Sequence, residues 1–111
     1  MDTNQANERK LDALGDRTRR AVLHLLRGGP MAVTDIAREF PISRPAISQH
    51  LRVLKDAGLV TDSPDATRRL YELNSDAFVS LRVYFDDFWS AALGEFRKRA
   101  ESRRGNKRRS A

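Results

Sequence analysis

The sequence predicts a mainly helical α+β fold of five helices and one β-hairpin, and three stretches carry that prediction. Between Thr34 and Gly58 two short helical patterns are separated only by Pro41-Ile42-Ser43, a connection short enough to hold them at a fixed angle. Directly after them, Leu59 to Ser63 and Arg68 to Leu73 turn β-branched, aromatic and alternating around the turn formers Pro64-Asp65-Ala66-Thr67. From Asp76 to about Arg99 apolar residues recur at helical spacing, and many are aromatic. A helix pair, a hairpin and a long helix in that order make a winged helix-turn-helix.

Each element has its own local reasons. Residues 1–6 show no periodicity and are expected to be frayed, so the domain is read as 7–99. A short helix from Asn7 to Leu14 places Leu11 and Leu14 on one side and stops at Gly15. Asp16 caps a second helix to about Arg27, whose buried stripe is Val22, Leu23, Leu25 and Leu26. Its first turns carry Arg17, Arg19 and Arg20, read either as a solvated face or as a phosphate clamp. Thr34 caps the first helix of the pair, where Ile36, Ala37 and Phe40 share a face.

The second helix of the pair, 43–57, carries the functional argument. Ser43 can accept a bond from an orphan N–H of the first turn, Pro45 sits where a missing N–H does no harm, and Gly58 suits the left-handed cap. Ile47, Leu51 and Leu54 share the face that needs a core. Opposite them stand Pro45, Ser48, Gln49, Arg52 and Asp56, with Arg44 and Lys55 at the edge. Hydroxyl, amide and guanidinium donors suit base edges and phosphates in the major groove of double-stranded DNA. Arg68 and Arg69 begin the returning strand of the wing (59–73), where they meet a backbone or only keep an edge strand soluble.

Charge agrees in sign but is unevenly placed. The net charge is +6, yet residues 97–111 hold eight Lys or Arg against Glu101 alone, so residues 1–96 sum to −1. Residues 100–111 are expected to form a disordered basic tail. Within the domain, 16–73 sums to +3 and 74–96 to −3, a basic half around the helix pair and an acidic remainder. No cysteine is present, which excludes disulfides and thiolate metal sites, and the polar start MDTNQANERK is unlike a signal peptide. A cytoplasmic protein without a membrane span is expected.

The last helix is the surplus element. Phe78, Leu81, Phe85, Phe88, Ala92 and Phe96, joined by Tyr84, Trp89 and Leu93, make a stripe wider than one small domain covers. A homodimer is the expectation, an ordinary core helix the alternative.

The chain resembles the ArsR family of bacterial winged-helix transcriptional regulators, from about Leu11 to Phe96. The likeness lies in LGDRTRRAVLHLL at 14–26, DIAREFPISRPAISQHLRVLKDAGLV at 35–60 and RRLYEL at 68–73. It implies a homodimer joined through first and last helices, here Leu11, Leu14, Leu81, Phe85, Phe88, Trp89 and Ala92, that represses its own operon from a palindromic operator. It places base reading on Arg44, Pro45, Ser48 and Gln49, with His50 adjacent, Arg52 towards the backbone, and Arg68, Arg69 and Tyr71 on the wing. By angular position His50 is equally a packed or phosphate-bonded residue. Pro41 and PDAT stand where many relatives have glycine, and the cysteines and histidines of the metal-sensing members are missing. A metal-free branch is implied, with no cofactor; nothing in the sequence names an inducer or a target gene.

An enzyme is not indicated, because no Gly-rich phosphate loop, nucleophilic cysteine or metal-ligand spacing is present. A winged domain serving as a protein-interaction scaffold is the other reading, but such a domain needs no row of donors on its second helix.

Overall fold

Asp16 begins the ordered framework: its carboxylate accepts the Arg19 N–H at 2.9 Å and caps α2 (Arg17–Leu26), as expected. The computed structural model describes the backbone of residues 3–109 and the side chains of residues 4–104. Ahead of α2 lies α1 (Thr3–Ala13), so residues 3–6, expected to be frayed, are already helical, while residues 1 and 2 lie outside the described residues. Asn7 anchors that helix: it is buried, and its Oδ1 accepts a bond from Ser80 Oγ at 3.0 Å. Arg20 lies on a solvated face and Arg19 is half-buried, and both have a further role that was not expected of them. Arg19 Nε donates to the Ala13 carbonyl and Arg20 to that of Leu14, both at 2.7 Å, satisfying acceptors that the end of α1 leaves open.

The helix pair is α3 (Val33–Ala37) and α4 (Arg44–Asp56). Thr34 does not cap α3. The cap position lies two residues earlier, at extended Ala32, because that alanine ends a short strand, β1 (Met31–Ala32), which runs directly into the helix. At α4 the expected cap is present, Ser43 Oγ accepting the Ala46 N–H at 3.3 Å, with Pro45 in the first turn. Its C-terminus closes in a Schellman motif. Gly58 has φ +83°, its N–H donates to Lys55 O and that of Leu59 to Leu54 O, both at 2.9 Å.

That reversal feeds β2 (Val60–Asp65), which pairs antiparallel with β3 (Arg68–Leu73) from Val60↔Leu73 to Asp65↔Arg68. The four-residue turn read from the sequence therefore contracts to Ala66-Thr67, with Ala66 at φ +56°. β1 adds to the other side of β3 through Met31↔Tyr71 and Ala32↔Leu70, giving strand order β1-β3-β2. Pro64 fits because β2 is an edge strand. Two residues are too few for periodicity, so β1 left no trace in the sequence.

The core gathers under α4. Ile36, Ile47, Leu51, Leu54 and Leu59 are fully buried, with Val22 and Val60 beside them. Each such side chain contributes about 1.5–3 kcal/mol over an exposed one.

Contacts divide the chain after Leu81. α5 (Ser75–Arg109) belongs by its first two turns to the domain, where Ala77 and Leu81 are buried and Phe78 packs on the core. Leu81 was expected at a dimer interface, yet it is already covered within its own chain. Leu11 and Leu14 are half-buried against the same core. The segment from Arg82 onward is helical to Arg109, so the tail expected to be disordered from residue 100 is helix as far as that residue; 110 and 111 lie outside the described residues. The physical reason is composition: Arg, Lys, Glu and Ala favour helix, no proline interrupts, and cations suit a helix C-terminus.

Two backbone positions give a paired test. A Cβ on Gly58 would meet no atom within 4 Å, so Gly58→Ala carries only the left-handed penalty and should lower stability by about 1–2 kcal/mol. Ala66→Gly should raise it by up to about 1 kcal/mol, because alanine already bears that penalty there. Urea unfolding midpoints of the two variants, shifting in opposite directions, check both.

Candidate nucleic-acid interface

With Ile47, Leu51 and Leu54 wholly buried, the opposite side of α4 must face outward. Arg44, Pro45, Ser48, Gln49 and Arg52 are all exposed on it. The row therefore offers guanidinium, hydroxyl and amide groups from one rigid helix whose rotation about its axis is fixed by the core.

His50 departs from that row. It is half-buried, and its Nδ1 lies 3.8 Å from Asp16 Oδ1. Asp16 is held ionised, below the usual carboxylate range, first by the Arg19 backbone N–H and then by the charges of Arg19 and His50. His50 thus links α4 to the cap of α2, an ion pair when its ring is protonated. The resemblance had set it next to the reading residues, whereas its angular position beside the buried stripe already allowed a packed role.

Tyr71 is displaced in a different way. It is the middle residue of the sheet, opposite Met31 on one side and Asp62 on the other, and its ring packs against the core. Arg68 and Arg69 remain exposed but are not free. Arg69 Nε donates to Asp62 Oδ2 at 2.7 Å, while Arg68 sits 3.3 Å from Asp65 and 3.7 Å from Asp35 of α3.

Asp62 is the organising carboxylate that sequence reasoning missed. Lys55 Nζ reaches its Oδ1 at 2.9 Å while Arg69 takes Oδ2, so one side chain from β2 joins the end of α4 to β3. Only 6 % of the Asp62 side chain is exposed, although both cations are about half exposed; its cover is the partners themselves rather than depth in the core. Their hydrogen bonds, Lys55 first and Arg69 second, hold its carboxyl below the usual range, and Asp62 in turn raises Arg69. The available signal was strand register, since Asp62 opposes Tyr71 and lies diagonal to Arg69. Together with Arg68 and Asp35, these contacts fasten the hairpin to both helices of the pair.

Among the described residues no three His, Cys, Asp or Glu side chains gather as a metal site, and no helix is long and apolar enough to cross a membrane. What the geometry offers is an outward helix of hydrogen-bond donors flanked by an arginine-bearing hairpin. Fold and face together define a winged helix-turn-helix protein of the DNA-binding class.

Comparison with known proteins narrows this. The profile described as bacterial regulatory protein, arsR family, matches residues 16–62. The chain is 50 % identical over 93 residues to the HTH-type transcriptional regulator Rv2034 of Mycobacterium tuberculosis, covering 84 % of this chain and 87 % of that one. It is 46 % identical over 63 residues to the transcriptional repressor SdpR of Bacillus subtilis, 57 % of this chain and 70 % of the relative. A solution structure of a homodimeric winged helix-turn-helix DNA-binding domain from Mycobacterium bovis is similar with a TM-score of 0.63 at 30 % identity, over 75 % of this chain and 81 % of that one. The chain belongs to the ArsR family of bacterial transcriptional regulators, and it is a regulator rather than an enzyme.

The Asp62 cluster has a pH signature. Because its folded-state pKa is depressed, the stability it contributes is fully present above the unfolded carboxylate value of about 4 and is lost as pH falls through the lower folded value. Asp62→Asn should therefore lower stability by about 1 kcal/mol at pH 7, the modest figure reflecting two half-exposed partners. The difference from the unsubstituted protein should shrink towards zero as pH falls below the usual carboxylate range and Asp62 is protonated in the folded state. Denaturant titrations at stepped pH values check it.

Proposed function

We propose that the protein is a dimeric repressor that binds a palindromic operator, reading bases with α4 and touching the flanking backbone with its wing. The observation that carries this reading is the exposed donor row of α4 set against its fully buried apolar row. In this reading Arg44, Pro45, Ser48 and Gln49 meet base edges, Arg52, Arg68 and Arg69 meet phosphates, and His50 and Tyr71 hold those elements in place. Arg68 and Arg69 exchange their present carboxylates for phosphates when the wing docks, at a cost that their half-exposed state keeps small. The similarity to a protein named as a repressor supports the direction of control.

Dimerisation is supported by what the segment from Arg82 leaves uncovered. Phe85, Phe88, Trp89, Leu93 and Phe96 are all exposed in the single chain, the last by 69 %. Tyr84 and Phe85 meet edge to face with ring centres 5.9 Å apart, and Phe88 and Trp89 do so at 5.5 Å. A soluble protein rarely leaves so many large rings in water, and the homodimeric solved relative supports a second copy as their cover. Phe85, Phe88, Trp89 and Ala92 are then interface residues, and Leu11 and Leu14, half-buried against the core of their own domain, are assigned to the same interface in this reading. Sedimentation equilibrium at micromolar protein should return twice the chain mass; a monomer there refutes the assembly.

Base reading and backbone contact separate by mutation. Gln49→Ala should weaken binding to the preferred operator by about 1–3 kcal/mol and binding to random DNA far less. Arg68→Ala should weaken both by similar factors and flatten the salt dependence, because a phosphate contact carries little sequence information. Gel-shift titrations with operator and random duplexes at two salt concentrations decide the assignment. Absence of any specific duplex from the protein's own promoter region would favour the scaffold reading instead.

A further inference from the structure

A cleft away from the donor face of α4 combines an apolar floor with a one-signed rim. Its floor is made by Leu14 after α1, Leu23 of α2, Leu73 at the end of β3 and Phe78 in the first turn of α5. All four belong to the hydrophobic core or pack against it. The cleft is open to solvent on one side and has a volume of about 280 Å³, close to the lower end of small-molecule sites.

The rim comes entirely from α2 and its C-cap: Arg20, His24 and Arg27, at successive turns of one helix face. No carboxylate lines the cleft. Arg20 is engaged with the Leu14 carbonyl, which fixes its position at one end. At the other end Arg27 Nη1 lies 3.4 Å from His24 Nδ1. If that nitrogen accepts from Arg27, the neutral ring carries its proton on Nε2, so both side chains still present donors. Elsewhere on this domain the exposed arginines of the wing are matched by aspartates. Here basic side chains edge an apolar hollow along one side with no carboxylate to match them, and the fitting partner is an anion with a hydrophobic body.

We propose that this cleft binds a small amphipathic anion, a carboxylate on an apolar chain or ring, with the body on Leu14, Leu23, Leu73 and Phe78 and the carboxylate between His24 and Arg27. A carboxylate accepts charge-assisted bonds from both groups, which a neutral or cationic head cannot do. The site is independent of the DNA-binding reading, since none of its residues lies on the donor row of α4.

Three probes with one alkyl chain test it: octanoate, 1-octanol and octylammonium, titrated into the full chain and followed by amide chemical shifts. Octanoate should bind at least about tenfold more tightly than octanol, and octylammonium more weakly than either, as a charge-assisted contact requires. The shifts should centre on Leu14, Leu23, Leu73 and Phe78. Arg27→Gln should remove about tenfold of the octanoate affinity and leave octanol unchanged. Arg27 is exposed, so this variant keeps the fold, which the unchanged octanol affinity also reports. Equal binding of all three probes would show simple apolar adhesion and overturn the proposal. Failure of all three to bind, as when a second copy covers the cleft, overturns it as well, and so do shifts centred elsewhere.

Discussion

The reversal at Gly58 is the constraint on which the DNA-facing half of the molecule depends. One left-handed residue ends α4 with two hydrogen bonds, and its own carbonyl then accepts Asn74 Nδ2 at 2.9 Å. The Asn74 backbone N–H bonds Leu59 O at the same distance. A single residue past β3 therefore grips the turn that precedes β2, so the end of the helix, both roots of the hairpin and the start of α5 share one knot. A residue with a Cβ would have to hold φ +83° against its own sterics, and every element leaving the knot would share the misfit.

Long, strongly patterned stretches were readable from the sequence because their physics is local. Ile47, Leu51 and Leu54 repeat at helical spacing, Ser43 and Gly58 bound them, and the buried row and caps stand where that logic puts them. What escaped was set by tertiary pairing. Strand β1 exists only because Met31 and Ala32 find β3, and that pairing also moved the start of α3 ahead of Thr34. Arg19 and Arg20 read as surface charge, and Arg20 is exposed, but their bonds to the end of α1 come only from the folded chain. The resemblance put Tyr71 and His50 among the contact residues, whereas in the folded chain Tyr71 packs half-buried against the core and His50, for which a packed role was the equal alternative, lies near Asp16. A charge-rich segment from residue 100 suggested disorder by composition, yet the same residues are good helix formers once a helix already leads into them.

Net charge is a poor guide to how this domain holds its cations. Residues 97–111 carry +7 against −1 for the rest of the chain, and the arginines of the wing are each matched by an aspartate. Such matching lets a hairpin carry positive side chains on a small body without mutual repulsion, and it fixes their direction before any partner arrives. Asp62 is central because it acts on two elements at once, through Lys55 and Arg69. The domain thus stores its polarity in short, satisfied contacts rather than in a broad field.

The two-residue tip at Ala66-Thr67 makes the hairpin a lever. Its strands stay paired from Val60↔Leu73 to Asp65↔Arg68, which at about 3.4 Å per residue gives an arm of roughly 17–20 Å with no hinge along it. A rigid arm of that length converts angle into displacement: a tilt of about 5° at the root carries the tip through roughly 1.5 Å, half a hydrogen-bond length. The root residues Leu59, Val60 and Leu73 lie in or against the core, and Leu73 also borders the basic-rimmed cleft. Because Leu70 and Tyr71 pair with β1 and Arg68 reaches Asp35 of α3, the arm does not tilt alone: a shift at its root is shared with β1 and with both helices of the pair.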